Sequence, residues 1–128
     1  MIVVCGIIKK NNGIIVCQRK KNPYEDWWEF PGGKIEKNET KRQALIREIR
    51  EELNIKIFIE KFLFMTKHSY NGLEIHLFCY VCRYLSGGIC LTEHKSLRIL
   101  RVVDMLRLNL LEGNFKVVKR LRYVKGIN

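Results

Sequence analysis

Residues 30–55 read "FPGGKIEKNETKRQALIREIREELNI" and carry the strongest structural signal in the chain. Thr40 followed three positions later by Gln43 is the pattern of a capping box, in which the two side chains satisfy backbone amides at a helix start. Leu45, Ile49 and Leu53, with Ile46, then form one apolar stripe at helical spacing. Asn54 follows, and Asn is second only to Gly at the left-handed position past a helix end. The spacing therefore predicts a helix from Thr40 to Leu53. Ahead of it, Pro31 and the pair Gly32-Gly33 make a stop at which backbone can approach a ligand closely. Glu48, Glu51 and Glu52 lie three and four positions apart, so their carboxylates share a face that borders the apolar stripe. Clustered oxygens of this kind suit a hard divalent cation such as Mg²⁺, which commonly bridges to phosphates. Arg47 adjoins Glu48 and is placed to fix its carboxylate by a charge-assisted hydrogen bond. The alternative is a solvated face laced by ion pairs such as Arg47 with Glu51.

The surroundings make that acidic face conspicuous. The chain has 24 Lys and Arg against 13 Asp and Glu, a formal charge of +11. This balance favours polyanionic partners: nucleotides, nucleic acid or a membrane surface. A length of 128 residues, 47% hydrophobic and 29% charged, fits a single globular domain over 1–128. No apolar run reaches the roughly 18 residues of a transmembrane helix, and the N-terminal stretch lacks the basic region of a signal peptide. Five cysteines, an odd number, fit a reducing compartment, and a cytoplasmic location is expected. Cys79 and Cys82 lie in "EIHLFCYVCRYL", which alternates like a strand; positions three apart then face opposite ways, which is wrong for a shared metal.

"IVVCGIIKK" and "IIVCQRK", separated by "NNG", predict a hairpin, and "KNPYEDWWE" a loop. Beyond the helix, strands are expected at about 55–66 and 73–84, turned by Asn71-Gly72. After Gly87-Gly88, "GICLTEHKS" is expected to hold a short strand and a loop, "LRILRVV" a further strand. A basic amphipathic helix is expected at about 115–124, with Phe115, Val118 and Leu121 inward.

Residues 33–55 resemble the Nudix box, G-x5-E-x7-R-E-U-x-E-E-x-G-U with U aliphatic. Gly33, Glu39, Arg47, Glu48, Ile49, Glu51, Glu52 and Ile55 match in register, and Asn54 stands where the family has Gly. The conformational tolerance of Asn implies a small stability cost and intact chemistry. The likeness extends over most of the chain toward the MutT-type branch, which includes 8-oxo-dGTP diphosphatases and (d)CTP pyrophosphohydrolases. It implies an α/β/α sandwich around a mixed sheet, with the loop–helix–loop at 33–55 carrying the chemistry.

By that resemblance, Glu48, Glu51 and Glu52, with the Gly32 carbonyl and Glu93 of "LTEHKS", hold Mg²⁺, for which Mn²⁺ can substitute. The implied reaction is attack of water on the β-phosphorus of a nucleoside triphosphate, releasing monophosphate and pyrophosphate. Glu48 is the favoured general base, oriented by Arg47, with Glu93 as second choice. Glu39 supports the loop–helix junction. Arg19 matches a phosphate-binding arginine and Lys34 a lysine near the leaving group; each is otherwise a plain surface cation. Phe30 and Phe78 are placed at the base pocket, or else in the core. Asn114 aligns with a base-reading position, an amide able to donate and accept together, as the O6 and N7–H of 8-oxoguanine require; the alternative is a helix N-cap. The preferred substrate is 8-oxo-dGTP, the alternatives being (d)CTP, its 5-methyl form, or an RNA 5′ end. ADP-ribose enzymes usually carry a proline downstream of the box, and none follows Pro31. A non-catalytic module that only recognises oxidised guanine typically loses box glutamates, all of which are present. A monomer or dimer acting on small nucleotides, away from membranes, is expected.

Overall fold

The computed structural model describes residues 1–127. The apolar, β-branched runs form β1 (Ile2–Lys10) and β2 (Gly13–Arg19), pairing antiparallel with Lys10 opposite Gly13. Asn11 and Asn12 between them have φ of 49° and 63°, the left-handed pair that a two-residue hairpin of matching twist requires. Asn71-Gly72 repeats the device, at φ of 49° and 76°, between β5 (Lys56–Tyr70) and β6 (Leu73–Ser86). The two hairpins join because β1 runs parallel to β6, from Ile2 opposite His76 to Lys9 opposite Arg83. Short strands complete a seven-stranded mixed sheet: β3 (Trp28–Glu29) and β7 (His94–Leu100) pair with β2, and β4 (Gly32–Lys34) pairs with β1.

Alternation along the strands gives the sheet two apolar faces. Val4, Ile8, Ile15, Cys17, Tyr80 and Cys82 pack beneath α1 (Lys41–Leu53), against Ala44, Leu45, Ile49 and Leu53. Cys5, Ile7, Ile14, Val16, Cys79 and Val81 pack on the other side against Met105 of α2 (Val102–Met105) and Val117, Val118 and Leu121 of α3 (Glu112–Leu121). The result is the expected α/β/α sandwich. Cys79 and Cys82 belong to opposite faces, as their spacing in a strand requires. The start of α1 is the expected capping box: Thr40 Oγ1 accepts from the Gln43 amide at 3.1 Å and Gln43 Oε1 from the Thr40 amide at 2.9 Å.

Three expectations change. No strand forms in 87–91; β7 begins at His94 and stops at Leu100, and Val102–Met105 turns helical to bury Val102 and Met105. The last helix begins near Glu112 rather than 115, its cap being Leu111 without a side-chain bond, so Asn114 is an interior position and not an N-cap. Phe115 is consequently 41% exposed, and Val117 joins Val118 and Leu121 inside. Among the described residues no helix is long and apolar enough to cross a membrane.

Candidate active site

Arg47 is the centre of the carboxylate helix. Its Nε and Nη2 grip both oxygens of Glu39, at 2.6 and 3.0 Å. Nη1 reaches Glu48 at 2.9 Å and Glu51 at 3.1 Å, and Nη2 donates to the Lys34 carbonyl at 3.1 Å. Both readings of Arg47 are thus realised together: it fixes Glu48 and pairs with Glu51. Glu39 also accepts from the Glu36 amide at 2.9 Å, which ties the loop to the helix. The Arg47 guanidinium, then that amide, holds the Glu39 carboxyl below the ordinary carboxylate range.

The two glycines are there for close approach. A Cβ on Gly33 would land on the Glu48 carboxylate, and one on Gly32 on the Val4 carbonyl of β1. Glu48 therefore lies flat against β4, while Glu52, one turn further, is only 2% exposed. Burial pushes the Glu52 carboxyl up to about 10, with help from Glu48 and the charges of Glu93 and Glu29. Its Oε2 has no hydrogen-bond partner.

The loop carrying Glu93 is stitched to the end of α1. Thr92 Oγ1 donates to the Glu51 carbonyl at 2.8 Å, and the Cys90 amide to the Leu53 carbonyl at 3.0 Å. Asn54 supplies the left-handed turn, at φ of 59°, and its amide donates to the Gly88 carbonyl at 3.3 Å. The loop thereby brings in His94, which is buried, 2.9 Å from Glu29 Oε2 and 3.8 Å from Glu52 Oε1. Glu29 in turn receives Arg19 Nη1 at 3.3 Å.

Of these groups, Arg19, Glu29, Glu52 and Glu93 line a cleft of about 340 Å³, whereas Arg47, Glu48, Glu51 and His94 do not; the volume is at the lower end of the range for small-molecule sites. Arg19, Glu29, Gly32, Gly33, Lys34, Glu52 and Glu93 line its charged end. Phe30, Asn114, His68 and Tyr70, with Leu73, Ile75 and Leu77, line the other. Asn114 Oδ1 accepts from the Phe30 amide at 2.8 Å, which pins α3 to the segment after β3. Phe78 is not part of this cleft. It alternates to the α1 face, under the Lys41 ammonium at 4.7 Å, and Leu77 takes the position facing the cleft.

Three residues of the site escaped the sequence reading: Glu29 and His68 line the cleft, and His94 bonds to Glu29. Glu29 precedes Phe30 with no periodic signal of its own, and His94 was legible only as the neighbour of Glu93. His68 sits in a strand run with nothing local to mark it.

The NUDIX domain family matches residues 1–121. The chain belongs to the Nudix family. A CTP pyrophosphohydrolase of Escherichia coli (strain K12) is 35% identical over 96 residues, covering 74% of this chain and 71% of that protein. An 8-oxo-dGTP diphosphatase of Buchnera aphidicola subsp. Schizaphis graminum is 42% identical over 77 residues, covering 60% of this chain and 59% of that one. The solution structure of the E. coli ORF135 protein superimposes with a TM-score of 0.83 at 28% identity, covering 99% and 94% of the two chains. The protein is accordingly a Nudix hydrolase.

Nudix hydrolases use divalent metals, and the orphaned, buried Glu52 Oε2 beside Glu48 and Glu93 is a donor set that fits one. Among the described residues no three acidic, histidine or thiol groups already stand together as a coordination site. Arg47 holds Glu48 and Glu51 where a cation would compete for them.

Proposed function

We propose that this Nudix hydrolase cleaves nucleoside triphosphates to monophosphate and pyrophosphate, with Mg²⁺ or Mn²⁺ as cofactor and an oxidised guanine nucleotide as preferred substrate. The observation that carries the reading is a cleft whose charged end joins an apolar end bearing Asn114. Glu48, Glu51, Glu52, Glu93 and the Gly32 carbonyl would hold the metal. When bound, it neutralises phosphate charge and polarises the phosphoryl oxygens.

The chain's own residues do the rest. Arg19 and Lys34 flank the charged end and attract the triphosphate; Arg19 is held by the Pro23 carbonyl at 3.1 Å as well as by Glu29. Glu48, oriented by Arg47, takes the proton from water attacking the β-phosphorus, and Glu93 at the cleft mouth is the second candidate. Phe30 and the leucines of β6 cover the base, and Asn114 reads its edge.

A second reading, (d)CTP, is favoured by the geometry of Asn114. With Oδ1 engaged by Phe30, its NH₂ group is the uncommitted end and suits a base acceptor, which cytosine also presents. A triphosphate panel with Mg²⁺, followed by pyrophosphate release, tests both readings. Preference for 8-oxo-dGTP over dGTP by about tenfold or more in kcat/KM is expected, as one mispaired buried polar group costs about 1–3 kcal/mol. Asn114→Asp is expected to lower that ratio mainly through KM. A wild-type ratio near one, or dCTP as best substrate, would defeat the oxidised-guanine assignment.

A further inference from the structure

Reading 8-oxoguanine requires an acceptor as well as a donor, and one of the two lone pairs of the Asn114 oxygen is already taken by the Phe30 amide. The cleft holds another candidate. His68 on β5 projects toward α3, where a Cβ on Gly113 would land on its ring, so the absence of a side chain at 113 makes room for the imidazole. Its Nδ1 is buried and has no hydrogen-bond partner. Both His68 and Asn114 line the cleft, and Asn114 directly follows the glycine on which the ring lies.

Resting on the proposed nucleotide reading, we propose that His68 is a second specificity-determining residue, its Nδ1 accepting a hydrogen bond from the nucleobase while the Asn114 amide donates one. Such a donor–acceptor pair matches a base edge that sets a carbonyl or ring acceptor beside an N–H. The O6 and N7–H of 8-oxoguanine do so, as do N3 and the amino group of cytosine. On that same O6/N7 edge guanine presents two acceptors and leaves Nδ1 unpaired, whereas the O6 and N1–H pair is common to guanine and 8-oxoguanine and does not discriminate. Burial, then the Lys116 charge, lowers the His68 pKa, against a smaller opposing effect of Glu112, which keeps an acceptor nitrogen on the ring at neutral pH. Lys116 is itself tethered to the Lys67 carbonyl at 3.0 Å. Thr66, two positions back on the same strand face, has a buried hydroxyl that is also unpartnered.

The test is nitrogen NMR of the three histidine rings, assigned with His68→Phe, during titration with 8-oxo-dGMP, dCMP, dGMP and ribose 5-phosphate. The His68 Nδ1 resonance is expected to move with 8-oxo-dGMP or dCMP and to stay in place with ribose 5-phosphate. In turnover, His68→Phe is expected to raise KM for the preferred nucleotide roughly tenfold, with kcat within about threefold. His68→Gln, which retains an acceptor, should recover part of the loss, and Thr66→Val should leave the substrate ranking unchanged. A resonance that no nucleotide moves, or that ribose 5-phosphate moves equally, overturns the proposal. So does an unchanged substrate ranking in His68→Phe. Because the resonances report binding alone, a protein that bound bases at His68 yet released no pyrophosphate would refute the hydrolytic reading only.

Discussion

Glu52 shows how a single side chain couples stability to chemistry. Its carboxyl is buried beside Glu48 and Glu93 with one oxygen unpartnered, and its pKa is pushed up to about 10. A carboxyl whose folded pKa exceeds its unfolded value binds more protons in the fold. Stability of the metal-free protein is therefore full below the unfolded pKa and is lost as pH rises toward the folded one. Glu52→Gln removes that liability. It is expected to melt like wild type near pH 4.5 but to be more stable by at least ~1 kcal/mol at pH 8 in chelator, while losing ~10²-fold or more in turnover. Thermal melts across pH, paired with initial rates, check both halves. In the sequence Glu51 and Glu52 are neighbours of the same type, and helical spacing put both on one face. Only the docking of the 87–93 loop makes one buried and leaves the other paired with Arg47. Glu29 and His94 meet through pairing of β3 and β7 on either side of β2, a long-range event that no local pattern encodes.

The ends of the helices divide along the same line. Both ends of α1 were legible because a capping box and a left-handed Asn are local chemistry. Asn54 has a further bond, to Gly88, so replacing it is a trade between backbone freedom and that contact. Asn54→Gly is expected to change stability by less than about 1 kcal/mol, roughly 4 °C in Tm, with turnover unaltered. Asn54→Ala, which keeps the conformational penalty and drops the amide, should cost about 1–2 kcal/mol. Differential scanning calorimetry separates the two; an Ala variant as stable as the Gly variant would show that the left-handed turn is not what Asn54 supplies. The start of α3 was misread because it carries no side-chain cap. Backbone exchange between Trp28 and residues 109–111 sets its position instead, with the Trp28 amide donating to Asn109 at 2.7 Å and Leu111 donating back to Trp28 at 3.1 Å.

On the scale of the whole molecule, strand alternation and hairpin signals located the main strands, while the sandwich itself was legible only through the resemblance to the Nudix family. They did not show which strand residues face the cleft, and Phe78 and Leu77 exchanged places for that reason. The cysteines follow the same layering: Cys5, Cys17, Cys79 and Cys82 are buried and Cys90 is exposed. Burial pushes Cys82 up to about 12 and Cys17 higher still, and Cys5 is raised by its hydrogen bond to Cys79 and by burial. An aromatic disulfide reagent at pH 8 is therefore expected to titrate one thiol rapidly in the folded protein and all five in denaturant. Rapid reaction of several thiols in the native state would contradict this layering. The sandwich brings Glu52 of the acidic helix, Arg19 and the apolar end of the cleft together inside a chain of charge +11, an arrangement suited to the proposed triphosphate substrate. The most direct test of that account is hydrolysis of 8-oxo-dGTP in ¹⁸O-labelled water with Mg²⁺, the products being weighed by mass spectrometry. Monophosphate without label and pyrophosphate carrying one ¹⁸O, with no products when the metal is chelated, is the expected result; release of orthophosphate, or label in the monophosphate, would contradict it.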